Sequence, residues 1–277
     1  MNYFELLRRL ASISPDEYES EARFLLEELM PDTKISYILS NREMELECPS
    51  LEDAVAKREA RIPLQYVLGK WDFYRQTYKV SPDCLVPRSD TEILVERAIE
   101  LLPNGASFVD LCTGSGCIGI STLCERPDTC AILVDKFENT LALAQENAEL
   151  NCVSSRARCM LFDVLCESEK LCGASFDAIL SNPPYIRPEV IETLSPEVKH
   201  EPYAALYGGE DGLIFYRAIV ENYSKYLKND GFFLFEIGYD QADALRSIAH
   251  EHGFECEIIK DYGGNDRVAH LTRKIKD

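Results

Sequence analysis

From residue 107 onward, short hydrophobic runs alternate with longer amphipathic stretches. The hydrophobic runs cover residues 107–111, 131–135, 157–162, 176–181, 231–237, 254–259 and 267–272. Residues 138–150 and 213–227 have the apolar spacing that is typical of helices. Strands that alternate with helices favour a mostly parallel sheet that is covered on both faces. The sequence therefore predicts a doubly wound α/β fold around a seven-stranded sheet.

The first 70 residues follow a different, helical pattern. Residues 14–17 (SPDE) fit a capping box with proline at the first helical position, and residues 50–53 (SLED) fit a second helix start. Residues 71–86 indicate short extended segments in a hairpin, and residues 91–99 indicate an amphipathic helix. We therefore expect three parts: a small N-terminal helical domain (1–70), a connecting hairpin or linker (71–90) and an α/β domain (91–277).

A glycine-rich loop follows the first strand of the α/β domain. Gly114, Gly116 and Gly119 form the pattern GxGxxG, which by itself would indicate a dinucleotide. Glycines allow a sharp turn and a close approach of a ligand to the next helix. Asp110 at the end of the strand would repel a pyrophosphate, but it would attract the ammonium and sulfonium groups of S-adenosylmethionine. The loop therefore predicts S-adenosylmethionine as the cofactor, with Asp110 in its site.

Acidic residues also end the next two strands. Asp135 can accept hydrogen bonds from both ribose hydroxyls of a cofactor. Asp163 stands where a carboxylate can face the adenine amino group, although a lone aspartate after a strand is also a common turn residue or helix cap. We predict that both residues bind the cofactor.

The loop Asn182-Pro183-Pro184-Tyr185 follows the fourth strand, at the edge of the sheet where open α/β folds bind ligands. The prolines stiffen the loop and remove two N–H donors. The Asn182 side-chain carbonyl and the Pro183 backbone carbonyl can both accept from one NH2 group, and Tyr185 offers a flat face to a planar group. We predict that Asn182, Pro183 and Tyr185 are catalytic and that all four residues bind the substrate. The loop indicates methylation of a planar amide or amine nitrogen.

Two substrate classes fit this loop: glutamine side-chain amides and the exocyclic amines of nucleic-acid bases. The chain has 29 basic and 48 acidic residues, a formal net charge of −19, and no Lys/Arg cluster that would follow a phosphate backbone. The composition therefore disfavours an adenine-N6 or other nucleic-acid base methyltransferase, and we expect no direct nucleic-acid binding. A non-catalytic cofactor-binding or scaffold protein is disfavoured because Asn182 and the glycines are intact.

Cysteine usage and apolar runs indicate the compartment. The 11 cysteines include no CxxC pair and have no metal-ligand spacing with the 4 histidines, which is typical of buried thiols in a reducing compartment. We find no signal-peptide pattern and no run of about 18 apolar residues. We therefore expect a cytoplasmic protein without a metal site and without membrane association.

Linked motifs along nearly the whole chain resemble the HemK/PrmC family of protein-(glutamine-N5) methyltransferases. They are residues 61–69 (RIPLQYVLG), 71–74 (WDFY), 80–82 (VSP), 85–92 (LVPRSDTE), 201–202, 205–206, 208–213 (GGEDGL), 236–238 (EIG) and 261–267 (DYGGNDR), together with the loop at Asn182. Residues 85–92 look like the family's PRPxTE element, with Ser89 in place of its second proline. Cys112 stands where the family usually has glycine, and the sequence suggests no penalty for it.

The resemblance implies a class I methyltransferase sheet and a reaction. The reaction moves a methyl group from S-adenosylmethionine to the side-chain amide nitrogen (N5) of the glutamine in the Gly-Gly-Gln motif of class I peptide chain release factors, in support of translation termination. The implied cofactor contacts come from Cys112, Thr113, Gly114, Ser115, Gly116, Asp135, Asp163 or Val164, and Asn182. The resemblance also implies that residues 1–70 dock the release factor, although this module could equally be a packing cap. We expect a monomeric enzyme.

Overall fold

The computed structural model describes residues 1–274, which form two compact units. The helical unit contains residues 1–70 and a short segment from further along the chain, residues 195–200. The sheet unit contains residues 71–194 and the chain from residue 201 onward. The segment 71–90, expected as a separate connection, belongs to the sheet unit.

The helical unit is built from five α-helices. They are α1 (Tyr3–Ala11), α2 (Tyr18–Leu29), α3 (Ile35–Ser40), α4 (Pro49–Glu59) and α5 (Leu64–Leu68). Its segment 195–200 contains a 3-10 turn, Val198–His200. Leu6, Leu25 and Val55 are fully buried and contribute to its core.

A buried arginine organises the charged interior of the helical unit. Arg58 is 2% exposed, and its guanidinium donates to both carboxylate oxygens of Glu21 at 2.8 and 3.1 Å. Glu197, from the segment 195–200, pairs with Arg61 at 2.9 Å and lies 3.5 Å from Arg58. A buried charge is tolerated only when it is paired and hydrogen-bonded, so these contacts hold residues 195–200 in the unit.

The capping box predicted at residues 14–17 is wrong. Helix α2 begins at Tyr18, and Glu17 precedes it without a side-chain cap. The Ser14 hydroxyl donates instead to Glu21 at 2.8 Å and accepts from Arg58 at 3.2 Å. Because the Ser14 hydroxyl is hydrogen-bonded to the buried Glu21–Arg58 pair, it does not cap the helix. The second predicted start is close to the structure, where α4 begins at Pro49.

The sheet unit begins with the predicted hairpin and continues with alternating helices and strands. The hairpin is β1 (Lys70–Phe73) and β2 (Gln76–Lys79), and a 3-10 turn (Ser89–Thr91) leads into α6 (Glu92–Leu101). The remaining strands are β3 (Ser107–Leu111), β4 (Cys130–Asp135), β5 (Ala157–Leu161), β6 (Phe176–Ser181), β7 (Leu227–Glu236), β8 (Phe254–Lys260) and β9 (Asp266–Arg273). The remaining helices are α7 (Cys117–Glu125), α8 (Glu138–Leu150), α9 (Pro188–Ile191), α10 (Tyr203–Leu206), α11 (Ile214–Tyr223) and α12 (Ala242–Glu251). Two further 3-10 turns are Ser168–Leu171 and Ser224–Tyr226.

The main sheet has seven strands in the order β5-β4-β3-β6-β7-β9-β8. All neighbouring pairs from β5 to β7 are parallel, and β9 pairs antiparallel with both β7 and β8. Because the order reverses between β3 and β6, the carboxyl ends of these strands form the crevice where open α/β sheets bind ligands. The predicted fold class is confirmed.

The alternation of side chains along the strands produces two hydrophobic cores. Val109, Ile179 and Phe233 point into the core that contains residues of α11 and α12. Their neighbours Phe108 and Leu180 point to the opposite face, into the core that contains residues of α6 and α7. Successive strand residues face opposite sides, so nearly continuous apolar runs are what a sheet covered on both faces requires.

Asp110 shapes the loop between β3 and α7 from beneath. Its side chain is fully buried, and one oxygen accepts from the Thr113 hydroxyl at 2.6 Å and from the Gly119 N–H at 3.0 Å. A β-carbon on Gly119 would lie 2.3 Å from Leu133 and 3.1 Å from the Asp110 carboxylate, so only glycine fits there. The carboxylate therefore ties the start of α7 to the end of β3.

Cys112 departs from the expectation that it carries no penalty. Its backbone has φ of 59°, in the left-handed region that favours glycine. A non-glycine residue in this region costs about 1–2 kcal/mol. The residue that replaces the usual glycine therefore imposes backbone strain on the loop, and that expectation was wrong.

Replacing Asp110 by asparagine should change how stability depends on pH. Burial raises the pKa of Asp110 from 3.8 to about 7, so the folded protein binds this proton more tightly than the unfolded chain does. The free energy of unfolding should therefore fall as pH rises from about 4 and level off above about pH 8. Relative to Asp110→Asn, the wild type should lose about 2 kcal/mol between about pH 5.5 and about pH 8.5. Urea unfolding of both proteins across this range measures the difference, and parallel pH curves would contradict the assignment.

Candidate active site

A pocket lies at the carboxyl ends of β3, β4 and β6. Nine of the predicted site residues line it: Cys112, Thr113, Gly114, Ser115, Asp135, Asp163, Val164, Asn182 and Pro184. Residues 83–88, Thr91, Phe137 and Phe215 complete much of its wall. Of the described residues, four that the sequence placed in the site are not among those that line this pocket: Asp110, Gly116, Pro183 and Tyr185.

Asp135 joins the glycine loop to the pocket. The residue is 9% exposed, and its two carboxylate oxygens accept from the Gly114 and Phe137 N–H groups, each at 3.1 Å. Burial raises the pKa of Asp135, while these backbone donors oppose the shift. Each carboxylate oxygen can accept more than one hydrogen bond. The side chain can therefore hold the loop and still accept hydrogen bonds from a ligand.

Asp163 is a turn residue that also lines the pocket, and its contact with the adenine stays a prediction. One oxygen accepts from the Leu165 N–H at 2.9 Å, which makes it a turn residue, and the other lies 3.4 Å from the Lys136 ammonium. Asp163 also lines the pocket together with Val164. The Val164 carbonyl accepts from the buried Tyr223 hydroxyl at 2.9 Å, which anchors this part of the wall to the core.

The Asn182 side chain is held by Thr91, which is in turn held by Glu236. Its amide nitrogen donates to the Thr91 hydroxyl oxygen at 3.3 Å. The Thr91 hydroxyl donates to Glu236 at 2.5 Å, and the Tyr185 hydroxyl donates to the other oxygen of Glu236 at 3.2 Å. Burial raises the pKa of Tyr185 above its ordinary value, so its hydroxyl keeps its proton. The Tyr185 hydroxyl is thus engaged behind the wall, and its predicted stacking role stays a prediction.

The chain from Leu206 to Gly212 supports the back of the loop that follows Asn182. A β-carbon on Gly208 would lie 2.5 Å from the Tyr185 backbone, and one on Gly212 would lie 2.5 Å from the Tyr185 carbonyl oxygen. The Gln241 amide donates to the carbonyls of Tyr185 and Gly212 at 3.1 and 3.2 Å. The glycines permit a backbone-to-backbone contact that fixes the path of the loop.

The sequence reasoning missed Thr91, Glu236 and Gln241 as parts of this arrangement. Thr91 and Glu236 lie in the motifs at residues 85–92 and 236–238, which had no assigned role. An available signal was Glu236 itself, an acid that directly follows the apolar run Phe232–Phe235 at the end of a strand. A buried carboxylate in such a place requires donors.

The charges of the pocket suit a cationic cofactor. Its wall carries the carboxylates of Asp83, Asp135 and Asp163, while the ammonium of Lys136 lies 3.4 Å from Asp163. The guanidinium of Arg88 is paired with the buried carboxylate of Glu201. Among the described residues, the second oxygen of Asp110 is buried without a hydrogen-bond partner. A pyrophosphate would meet this negative potential, whereas the sulfonium and ammonium groups of S-adenosylmethionine fit it.

Two protein families match separate parts of this chain. Residues 5–69 match the PrmC N-terminal domain, and residues 89–197 match the methyltransferase small domain. In the part of the chain that the structure describes, no helix is both long and apolar enough to cross a membrane.

Solved structures of low sequence identity are similar in fold to most of this chain. The catalytic domain of hMettl16, in a complex with the MAT2A 3'UTR hairpin 6, is 15% identical with a TM-score of 0.60, covering 79% of this chain and 82% of that chain. A methyltransferase from Pyrococcus furiosus is 17% identical with a TM-score of 0.52, covering 70% of this chain and 87% of that chain. These similarities confirm the methyltransferase fold.

Curated relatives match almost the full length of the chain. The release factor glutamine methyltransferase of Aquifex aeolicus is 37% identical over 97% of this chain and 95% of the relative. The protein of the same name from Thermodesulfovibrio yellowstonii is 38% identical over 91% of this chain and 92% of the relative. The protein from Clostridium botulinum is 36% identical over 94% of this chain and 93% of the relative. Because these relatives are 36–38% identical over more than 90% of both chains, the chain belongs to the release factor glutamine methyltransferase family.

Proposed function

We propose that this protein transfers a methyl group from S-adenosylmethionine to the N5 side-chain amide nitrogen of the glutamine in the Gly-Gly-Gln motif of class I peptide chain release factors, and that it thereby supports translation termination. The observation that carries the proposal is the position of Asn182 on the wall of an acidic pocket beside the glycine loop. The names of the full-length relatives support the same substrate.

The cofactor is held by the residues of the acidic wall. When bound, S-adenosylmethionine supplies a methyl group on a positively charged sulfur. Asp135 accepts hydrogen bonds from the ribose, and Asp163 or Val164 contacts the adenine. The residues from Cys112 to Gly116 form the loop beside the amino-acid end of the cofactor, and Asp110 fixes the path of that loop from below.

The substrate amide is held by two acceptors. The Asn182 side-chain oxygen and the Pro183 carbonyl accept the two N–H bonds of the glutamine side chain, so the amide plane and the direction of its nitrogen are fixed. An amide nitrogen is a weak nucleophile because its lone pair is delocalised, and correct orientation supplies several kcal/mol of the barrier reduction, about 7 in favourable cases. A strong base is unnecessary because a methylated, positively charged amide loses its proton readily.

Methylation of a nucleic-acid base is the alternative reaction for this loop. The shared fold of hMettl16 does not select it, because the similarity is one of fold alone. The net charge of −19 opposes binding along a phosphate backbone. At the pocket, Arg88 is paired with Glu201 and Lys136 lies beside Asp163, so both cations already have carboxylate neighbours. We therefore favour the protein substrate.

Incubation of the protein with S-adenosylmethionine and a class I release factor tests the reaction. Mass spectrometry should find one added methyl group on the glutamine of the Gly-Gly-Gln motif. Asn182→Ala should lower kcat about 100-fold or more, with the cofactor Kd changed only a few-fold, because Asn182 mainly orients the amide. Methylation of a duplex DNA control, with an unmodified release factor, would reject the proposal in favour of the base methyltransferase.

Asp135→Ala should raise the Kd for S-adenosylmethionine about 100-fold or more, because the hydrogen bonds from both ribose hydroxyls are lost. Each lost charge-assisted hydrogen bond to the ribose is worth about 1.5–3 kcal/mol. Asp128→Ala is the matched control, because Asp128 also accepts from a loop N–H, that of Gly105 at 2.8 Å, but stands before β4 at the other end of the strand. Calorimetry should find near-normal binding for the control. Equal affinities for both variants would remove Asp135 from the cofactor site.

The helical unit is proposed to dock the release factor. A substrate glutamine on a loop offers little contact area, whereas specific protein recognition usually buries about 1,200 Å2 or more. The unit carries large exposed hydrophobic side chains, among them Phe4 at 50%, Tyr37 at 55% and Leu39 at 38%. Such side chains are common at recognition surfaces, although single exposed ones also occur without a role. The alternative is that the unit only packs as a cap. The monomeric state and the cytoplasmic location stay predictions.

The double variant Tyr37→Ser, Leu39→Ser distinguishes docking from packing. If α3 docks the substrate, KM for the full-length release factor should rise about 5- to 10-fold, since a few interface side chains carry most of the binding energy. KM for a short peptide with the Gly-Gly-Gln motif should stay unchanged. Tyr262→Ser, at a side chain 89% exposed in the sheet unit, is the control. An unchanged KM for the release factor, with retained unfolding temperature, would show that these side chains do not dock it.

A further inference from the structure

A chain of buried hydrogen bonds stands behind Asn182. Thr91 and Glu236 are each 2% exposed, and they come from opposite ends of the sheet unit's sequence. The chain runs from the Asn182 amide nitrogen to the Thr91 hydroxyl (3.3 Å) and from that hydroxyl to Glu236 (2.5 Å). An ionised carboxylate has only acceptor atoms and no donor. The Glu236 carboxylate therefore determines the direction of the other hydrogen bonds in this chain.

The direction of these bonds decides which end of the Asn182 amide faces the pocket. The oxygen and nitrogen of an amide have nearly the same shape, and their assignment follows from the hydrogen-bond network. The Thr91 hydroxyl has one proton, and it is donated to Glu236. Toward Asn182 that oxygen can only accept, so it takes the amide N–H. The Asn182 oxygen is then left for the pocket, where an acceptor is needed to hold a substrate NH2 group.

The two hydroxyls that contact Glu236 set its acceptor role, because each donates to one of its oxygens. Burial raises the pKa of Glu236, the charge of Asp90 adds to the rise, and the Thr91 hydroxyl, the charge of Arg267 and the Tyr185 hydroxyl offset only part of it. Arg267 is held in place by Asp90 at 3.1 Å and Asp261 at 3.2 Å. The second oxygen of Glu236 accepts from Tyr185 at 3.2 Å. One carboxylate thus fixes both Asn182 and the tyrosine at the other end of the four-residue loop.

We propose that Thr91 and Glu236 are positioning residues of this enzyme: they impose the orientation of the Asn182 amide that presents its oxygen, and not its nitrogen, to the substrate amide. This inference rests on the proposed function. If the two residues had a merely structural role, the buried Glu236 carboxylate would need only hydrogen-bond donors. The positioning role requires in addition that Thr91 donate to Glu236 and accept from Asn182.

Variants that change polarity at nearly constant shape test the proposal. Thr91→Val removes the acceptor for the Asn182 N–H and should lower kcat on the release factor about 10- to 100-fold. KM and the Kd for S-adenosylmethionine should change less than about 3-fold, because the cofactor contacts of Asp135 are untouched. Thr91→Ser keeps the hydroxyl and should restore kcat to within about 3-fold of wild type. Glu236→Gln places an NH2 donor toward one of the two hydroxyls and should lower kcat without a matching rise in KM.

A control and a readout without substrate keep the two proposals separate. Thr129→Val alters another buried threonine, whose hydroxyl donates to the Arg126 carbonyl at 2.8 Å beside the start of β4, and should leave kcat unchanged. The side-chain N–H signals of Asn182, assigned by their loss in Asn182→Ala, should shift in NMR spectra of Thr91→Val and return toward wild type in Thr91→Ser.

If the wild type does not methylate the release factor, the proposed function fails, and the NMR signals still report on the hydrogen bonds among Asn182, Thr91 and Glu236. Unchanged Asn182 signals in Thr91→Val, wild-type kcat in that variant, or no rescue by serine would overturn the inference.

Discussion

Carboxylates that are buried at the ends of parallel strands must find donors, and in this protein the donors come from the loops around the pocket. Asp110 is the penultimate residue of β3 and takes donors from Thr113 and Gly119. Glu236 ends β7 and takes donors from Thr91 and Tyr185. An unpaired buried carboxylate is costly, so each loop is drawn to the position that satisfies the acid beneath it. The buried carboxylates that require hydrogen-bond donors therefore determine the geometry of the site.

This arrangement separates residues that face the ligand from residues that shape the wall. Asp135 does both, because backbone donors use only part of its capacity to accept hydrogen bonds. Asp110 is fully buried and shapes the wall only from below. The sequence argument treated these two acids alike, since both end strands beside the glycine loop. Their different depths follow from the pleat of the strands and from packing against α7, which the spacing of residues does not express.

The fold was predictable because its signals are local and strong. The runs at 107–111 and 176–181 and the helix at 138–150 match β3, β6 and α8 to the residue. The start of α2 was missed because Ser14 serves a buried ion pair with partners at residues 21 and 58. The strain at Cys112 was missed because a backbone dihedral angle is not visible in a side-chain pattern. Of the site, the pocket-lining residues from 112 to 115, Asp135 and Asn182 could be found from motifs. The links among residues 91, 182 and 236 could not, because they depend on the pairing of β6 with β7 and on the packing of the turn Ser89–Thr91 against their ends.

The helical unit includes residues 195–200, which in sequence lie between two stretches of the sheet unit. The chain leaves the sheet unit after Leu194, contributes Glu197 to the charged interior of the helical unit and returns at Glu201. Within the sheet unit, the Glu201 carboxylate then accepts from the Val86 N–H at 3.0 Å and pairs with Arg88. Removal of residues 1–70 would leave Glu197 without Arg58 and Arg61, and the freed segment lies only ten residues beyond Tyr185. A loss of activity on truncation would therefore mix altered loop geometry with lost docking. Because surface substitutions on α3 leave the buried ion pairs intact, they separate these two contributions where a deletion does not.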